Sequence, residues 1–214
     1  MYEETDNIYC YPGTKVLINK FGIKDKEKLE AVELDLAGLR ILELKDNPIK
    51  GSFDLEHLKS IHKYIFQDIY NWAGQLRTIE ISKGIWFARS DFIISEGQRI
   101  FNELKDENYI SHLPFDKFCK KLAYYKAEIN MLHPFREGNG RAIREFVRSL
   151  AEYNGYELDF STMDKNQYIK AMVQSSYDTE PLKELFANNM IQVEKANIRL
   201  RALRKKDRDW EIDR

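Results

Sequence analysis

The sequence predicts an all-α fold, a helical bundle with one short β-hairpin. Two observations carry this prediction. Apolar residues recur at helical spacing in seven segments, whereas the helical period fails in residues 75–89. In addition, 43% of the 214 residues are hydrophobic, which suffices for a sizeable core in one domain. We expect the bundle to form around the two helices that flank residues 133–144.

Three helices are predicted in the first half of the chain, after a loop-like arm at 1–24. The first runs over 25–44, with Asp25 as its N-cap, and the second over 54–72. The third covers 90–105. The apolar stripe predicted for the first helix consists of Leu29, Val32, Leu36, Leu39 and Leu42.

Four more helices are predicted in the second half. They cover residues 114–132, 141–153, 164–175 and 181–193. An extended linker at 155–160 follows the second of these. We assign residues 1–193 to one domain and the densely charged residues 194–214 to a solvated helical tail.

The hairpin is predicted where the helical period fails. One strand would end at Ile81 and the other would span 85–87, on either side of the turn Ser82-Lys83-Gly84. Because an isolated hairpin is marginal in water, we expect it to pack on another element.

Composition argues against several function classes. A net charge of -1 disfavours direct nucleic-acid binding, which needs a basic surface. No run of about eighteen apolar residues is present, and the first residues are acidic, unlike a signal peptide, so we expect a cytoplasmic protein without a membrane span. The two cysteines, Cys10 and Cys119, predict neither a disulfide framework nor a zinc site.

Three of the four histidines have no chemical setting in the sequence. His57 and His62 share a predicted helix but lie five residues apart, where metal ligation prefers a spacing of about three or four. We expect surface or hydrogen-bonded structural roles for both, and for His112 in a polar loop.

The fourth, His133, opens the stretch HPFREGNGRAIR, which combines a base, a carboxylate, two glycines and two arginines. Gly138 and Gly140 let the backbone at a helix N-terminus approach an anion, and Arg141 and Arg144 lie three apart on one helix face. Glu137 suits Mg²⁺ that is shared with a polyphosphate, and Asn139 would donate to a further phosphate oxygen. His133 can accept a proton near neutral pH. These residue types predict transfer of a phosphate-linked group from a nucleotide to a hydroxyl.

The same stretch resembles, at every fixed position, the HxFx(D/E)GNGRxxR signature of Fic-domain proteins. The resemblance implies transfer of AMP from ATP to a Tyr, Ser or Thr hydroxyl of a target protein. His133 would be the general base, Glu137 would hold Mg²⁺ between the α- and β-phosphates, and Phe135 would be a buried anchor. The expected ATP-binding residues are Gly138, Asn139, Gly140, Arg141, which would neutralise the leaving pyrophosphate, and Arg144, which would reach the γ-phosphate.

In Fic proteins a hairpin flap lies over the active site and pairs with the backbone of the target segment. By this resemblance the predicted hairpin is the flap, with Lys83 and Gly84 close to the nucleotide. Its target-docking residues would be Ile79, Glu80, Ile81, Ser82, Ile85, Trp86 and Phe87. A purely structural hairpin that buries Trp86 and Phe87 is the alternative.

Inactive Fic proteins carry an (S/T)xxxE(G/N) helix whose Glu pairs with the second motif arginine, here Arg144. In this chain the segments that begin at Ser52 and Ser176 have the spacing but end in His57 and Pro181. The resemblance to the toxin class, also carried by YPGT and FGIKD near the N-terminus, implies that a small antitoxin chain supplies the helix. In that class, bacterial type II topoisomerase subunits are targets.

The leading hypothesis is therefore a Mg²⁺-dependent protein adenylyltransferase, the toxin of a toxin–antitoxin pair or a relative of secreted, host-directed effectors. One alternative is another Fic chemistry, phosphoryl or phosphocholine transfer. Gly140 favours AMP, since the phosphotransferase branch usually lacks this glycine. A non-catalytic peptide-binding module is the other alternative, but it would need no base at position 133.

Overall fold

The computed structural model describes residues 8–84 and 86–193. Within them the chain is mostly helical, which confirms the predicted fold class. The helices are α1 Lys26–Asp46, α2 Leu55–Phe66, α3 Ile93–Asp106, α4 Phe115–Leu132, α5 Asn139–Tyr153, α6 Lys165–Gln174 and α7 Glu180–Asn188. The strands are β1 Tyr156–Leu158 and β2 Met190–Gln192, and single 3₁₀ turns cover Ser90–Phe92, Asn108–Ile110 and Phe160–Thr162. The predicted tail at 194–214 lies outside the described residues.

The chain divides into two compact units, and the division falls within α4 and α5. Among the described residues, the first unit holds 8–84, 86–109 and 125–146, and the second holds 110–124 and 147–193. In the first unit, Phe146 of α5 packs edge-to-face on Phe53 and Phe101, with ring centroids 5.7 and 5.5 Å away. The predicted catalytic stretch 133–144 lies wholly within this unit.

In the second unit, β1 and β2 pair antiparallel, with Tyr156 opposite Gln192. The sequence had predicted β1 as an extended linker and β2 as the end of a helix; α7 instead stops at Asn188. Tyr156 also stacks on Phe118 of α4, with ring centroids 4.6 Å apart.

The cap of the first helix follows the prediction, but its buried face does not. The Asp25 carboxylate accepts the Lys28 N–H, as an N-cap should. However, α1 buries Leu29, Ala37 and Leu44, whereas Leu39 and Leu42 of the predicted stripe are 53% and 60% exposed. The helix is apolar on more than one side, so the spacing alone did not identify the face that packs.

The predicted hairpin forms almost no ladder. In the described part of residues 75–89, a single antiparallel bridge joins Ser82 and Trp86 around Gly84, whose φ is 78°. The segment is held instead at its two ends, where Arg77 donates its N–H to the Pro134 carbonyl and Ala88 donates to the Met131 carbonyl, at 2.9 and 3.0 Å. It is thus a loop fastened to the end of α4. We keep the name flap for residues 79–87.

No helix among the described residues is both long enough and apolar enough to cross a membrane. Cys10 and Cys119 are buried free thiols, in accord with the expected absence of a disulfide between them.

Candidate active site

A sharp turn carries the chain from α4 into α5. His133 ends α4 with φ of 44°, an uncommon value for a residue with a side chain, while its N–H still donates to the Ile129 carbonyl at 3.2 Å. Gly138 follows with φ of 80°, and a Cβ there would lie 2.3 Å from the Phe66 ring. The turn therefore requires glycine at 138 both for its conformation and for its space.

Side chains close this turn from within. The Asn139 amide spans it, since Oδ1 accepts the Phe135 N–H at 2.9 Å and Nδ2 donates to the Phe135 carbonyl at 2.7 Å. Phe135 is fully buried, as predicted, and stacks on His62 with centroids 3.8 Å apart. The structure thus gives Asn139 a loop-closing role that the sequence analysis did not foresee. Its phosphate contact stays a prediction that rests on the second amide hydrogen.

The His133 ring is held as a neutral base. Its Nδ1 lies 3.1 Å from the Asn130 carbonyl, which can only accept, so the proton sits on Nδ1 and Nε2 keeps its lone pair. The ring stacks on Phe87 of the flap, with centroids 3.7 Å apart. Burial lowers the pKa of His133 to about 4, and the Asn130 hydrogen bond offsets this only in part. The side chain is therefore unprotonated at neutral pH and ready to accept a proton.

The first turn of α5 offers backbone donors. Gly138 donates its N–H to the Glu137 carboxylate at 2.9 Å, whereas the N–H groups of Asn139 and Gly140 find no acceptor among the described residues. A Cβ on Gly140 would lie 3.4 Å from Nη1 of Arg144, which is about van der Waals contact. A helix N-terminus with free N–H groups favours an anion, as the sequence predicted.

The two motif arginines differ in their contacts. Arg141 forms an ion pair with Glu33 of α1, whose other carboxylate oxygen accepts the Tyr70 hydroxyl. The Arg141 guanidinium also lies over the Phe66 ring, 4.7 Å from its centroid. Arg144 is half-buried, and its guanidinium forms no hydrogen bond or ion pair within the part of the chain that the structure describes.

Glu137 is an ionised carboxylate beside the N-terminus of α5. Its side chain is 33% exposed, and its Oε2 lies 3.6 Å from Nζ of Lys83 in the flap. Burial raises the pKa of Glu137, but the Gly138 hydrogen bond and the charges of Lys83, Arg141 and Arg136 outweigh it and leave the pKa below its ordinary value. The structure thus places Lys83 beside the predicted metal ligand.

Glu137 and the first turn of α5 fit Mg²⁺ bound together with a nucleotide. The described residues contain no cluster of three or more His, Cys, Asp or Glu side chains that could hold a metal by themselves. Mg²⁺ commonly takes one or two carboxylates and fills its other positions with substrate phosphates and water. Glu137, ionised and next to the free N–H groups of α5, meets that requirement.

The flap residues separate into buried and exposed sets. Phe87 is 9% exposed against His133, whereas Trp86 is 72% exposed. The structural alternative is therefore right for Phe87 and wrong for Trp86. Exposed positions are Glu80, Ser82, Lys83 and Gly84, and half-buried positions are Ile79 and Ile81. Ile85 lies outside the described residues.

Sequence reasoning missed three residues that support this site. The buried His62 accepts the Gly74 N–H at Nδ1 and donates from Nε2 to the Glu137 carbonyl, both at 2.9 Å. Glu33 holds Arg141, and Arg77 donates to the His133 carbonyl. His57 is buried too, with Nε2 2.8 Å from the Ile49 carbonyl. The structural role predicted for both helix histidines is thus confirmed, but the link from His62 to the motif had no signal in the sequence.

Comparison with known proteins agrees with this geometry. Residues 52–151 match the model of the Fic/DOC family. The protein adenylyltransferase VbhT of Bartonella schoenbuchensis is 40% identical over 85% of this chain, which spans 38% of VbhT. The probable protein adenylyltransferase y4lH of Sinorhizobium fredii is 38% identical, and the match covers 85% of this chain and 94% of y4lH. The probable protein adenylyltransferase Fic of Escherichia coli is 37% identical over 76% of this chain and 81% of its own length.

Solved structures show the same fold. The BepC effector of Bartonella tribocorum, crystallised with AMPPNP, superposes with a TM-score of 0.81 at 26% identity, over 90% of this chain and all of the BepC chain. The Fic domain of a Bartonella quintana effector with bound ADP gives the same TM-score and identity, over 89% of this chain and 97% of that one. Taken with the signature at 133–144, these matches show that the chain belongs to the Fic/DOC family.

Proposed function

We propose that this protein transfers AMP from ATP to a hydroxyl side chain of a target protein. Adenylyl transfer by a Fic domain is the activity named for its relatives at 37–40% identity. The observation that carries the proposal is a buried, neutral His133 in the same short loop as an ionised Glu137 and the free N–H groups that begin α5.

The reaction follows from these groups. The target hydroxyl oxygen attacks the α-phosphorus of ATP and gives its proton to Nε2 of His133. The bond between the α-phosphorus and the bridging oxygen breaks, and pyrophosphate leaves with its electron pair. Products are the phosphodiester-linked AMP on the target and pyrophosphate, and the proton on His133 passes to solvent.

The remaining residues bind and neutralise. Arg141, whose orientation is fixed by Glu33, is suited to the charge that grows on the leaving pyrophosphate. Phosphate oxygens bind to the N–H groups of Asn139 and Gly140 and to the guanidinium of Arg144. Glu137 would hold the metal. When bound, Mg²⁺ would offset the charge of the polyphosphate and polarise the α-phosphoryl group. The flap, with its exposed Trp86, is the surface on which a target segment docks.

The finer assignments rest on the family resemblance. We propose that the domain comprises residues 1–193 and acts in the cytoplasm as the toxin of a toxin–antitoxin pair. Bacterial type II topoisomerase subunits would be its targets. The guanidinium of Arg144 has no bonded partner among residues 8–84 and 86–193, which supports an inhibitory carboxylate supplied by a separate antitoxin chain, because a guanidinium that binds phosphate bidentately binds a carboxylate equally well.

The test is label transfer from ATP in a bacterial lysate and to purified type II topoisomerase subunits. Label from the α-position and none from the γ-position should reach the target. His133→Ala should lower the rate by about 10²- to 10⁴-fold, as expected for loss of a general base. His112→Ala, in an exposed loop, is the matched control and should transfer at the wild-type rate.

Other outcomes favour the alternatives. Label that moves from the γ-position would assign the chain to phosphoryl transfer. No transfer, combined with no thermal stabilisation by Mg²⁺ and ATP, would favour the peptide-binding module, because a nucleotide enzyme must be stabilised by its ligand.

A further inference from the structure

Arg77 is a buried side chain with three hydrogen bonds at the site, and no step of the proposed reaction uses it. Its side chain is 0% exposed. Three of its nitrogens donate to three backbone carbonyls: Nε to His133 at 2.9 Å, Nη1 to Ile79 at 2.7 Å and Nη2 to Ala88. A planar guanidinium is the side chain that can reach three acceptors in different directions.

The acceptors of Arg77 belong to two parts of the site. Ile79 and Ala88 stand at the two ends of the flap, and the third acceptor is the carbonyl of the proposed base. Two backbone hydrogen bonds reinforce this link. Arg77 donates its N–H to the Pro134 carbonyl, and Ala88 donates its N–H to the Met131 carbonyl. Guanidinium and main chain together tie both ends of the flap to residues 131–134.

His133 needs such support. Its backbone is in the left-handed region, with φ of 44°, a conformation that persists when surrounding contacts hold it. Arg77 holds its carbonyl, and Phe87 covers its ring at 3.7 Å between centroids. Besides the hydrogen bonds of His133 within the end of α4, these two restraints on the base come from the flap and from the residue that fastens the flap.

We propose that Arg77 is a positioning residue that makes the flap and His133 one rigid unit, so that docking a target segment on the flap also aligns its hydroxyl with the base. This inference rests on the proposed AMP transfer. Burial lowers the pKa of Arg77, and the Glu80 carboxylate, 3.8 Å from Nη1, opposes that change. The position thus keeps a buried cation whose bonded partners are carbonyls, an arrangement that apolar packing does not require.

The first test is Arg77→Lys, which keeps the charge but cannot reach three acceptors at once. With purified type II topoisomerase subunits as the probe, kcat/KM for the protein substrate should fall about tenfold or more, whereas KM for ATP should stay within about twofold of wild type. Arg99→Lys, on the surface of α3 with a side chain that is 49% exposed, is the matched control and should leave both constants unchanged.

Two kinetic results would overturn the proposal. Wild-type kcat/KM in Arg77→Lys would show that the three-way link is dispensable. Equal losses in kcat/KM for the protein and in affinity for ATP would show a general structural role.

The second test uses the wild-type protein, so it does not depend on how the variant folds or on whether the protein probe is a substrate. Amide hydrogen exchange should show the N–H groups of Arg77 and Ala88 opening together, with rates equal within about twofold once intrinsic rates are divided out, and well below those of Ser82 and Trp86. Ala88 exchanging as fast as the tip of the flap would refute the coupling. If wild type transfers no AMP, the proposed function fails while this measurement still decides the coupling.

Discussion

The two arginines of the motif lie three residues apart on α5, yet their surroundings are opposite in charge. Arg141 pairs with Glu33, which Tyr70 holds in turn, and lies over the Phe66 ring. Arg144 has no such partner within the described residues. The charged group identified near it is Lys126 of α4, which is 1% exposed and whose pKa Arg144 helps to lower.

Under the proposed function, this contrast would let one helix serve both nucleotide binding and regulation. A guanidinium that is already oriented loses little freedom when a ligand binds, which suits Arg141 to a charge that develops during the reaction. An unpartnered guanidinium beside a second cation attracts whichever anion reaches it, a phosphate or a carboxylate from another chain. Under the proposed function, we therefore expect Arg144 to be the position at which an inhibitor competes with ATP.

The largest effect should come from removing each arginine in turn. Arg141→Ala should lower kcat by about 10²- to 10³-fold, because it removes a donor aimed at the leaving group. Arg144→Ala should act mainly on KM for ATP, raising it about tenfold, and should abolish inhibition by a helix of the (S/T)xxxE(G/N) pattern. Steady-state transfer kinetics with varied ATP would measure both constants.

The control for this pair is Arg148→Ala on the same helix, where the arginine pairs with Glu152 at 3.0 Å; both constants should match wild type. If the two motif variants lost kcat in the same proportion, the proposed division of roles would be wrong.

A smaller effect is expected when the charge that holds Arg141 is removed. Glu33→Gln keeps the size of the side chain and an acceptor for Tyr70 but loses the ion pair. We expect kcat to fall about three- to tenfold, the equivalent of the roughly 1 kcal/mol that a typical intramolecular hydrogen bond contributes, with KM for ATP little changed. The same transfer assay measures it.

Glu30→Gln, on the same helix with a side chain that is 65% exposed, serves as the control and should be silent. A rise in kcat in Glu33→Gln would reverse the interpretation, since Glu33 would then compete with pyrophosphate for Arg141 instead of orienting it.

Local patterns explain what the sequence could predict. Glycine at 138, the histidine and the arginines all lie within twelve residues, so their joint geometry depends on one turn and one helix start. Asp25 caps α1, as the sequence predicted. Asp54 caps α2, and Asp is a common N-cap residue. Segments with one strongly apolar face were correctly predicted as helices, because this spacing is also a local pattern.

The rest depends on partners that a single sequence does not reveal. Glu33 is 108 residues from Arg141, and Arg77 is 56 residues from the His133 carbonyl that it binds. Backbone carbonyls carry no residue-specific pattern, so nothing in the sequence distinguished Arg77 from a surface arginine. The prediction of a hairpin was wrong for a related reason. The backbone N–H groups at the two ends of this segment donate to the carbonyls of Pro134 and Met131, instead of forming a ladder of hydrogen bonds between two strands.

The smallest effect on activity is expected at Lys126. Its main expected effect is on the stability of the folded protein. Burial, together with the smaller effect of the Arg144 charge, lowers the pKa of Lys126 from an ordinary value of 10.5 to about 7. Between these two pH values the unfolded chain binds a proton that the folded chain does not. The free energy of unfolding should therefore rise with pH across this window, by up to about 1.4 kcal/mol for each pH unit.

Lys126→Met, of similar length and without a charge, should remove this slope. Its melting temperature should exceed that of wild type by several degrees at pH 6, and the difference should shrink as the pH approaches 10, because both proteins then carry a neutral side chain at this position. Other titrating groups are common to the two proteins and cancel in the difference. A gap that stayed constant from pH 6 to pH 10 would contradict the lowered pKa, because it would mean that folding leaves the pKa of Lys126 at its ordinary value, as an anionic partner would do. Such a partner would also offset the positive charge beside Arg144 that favours anion binding there.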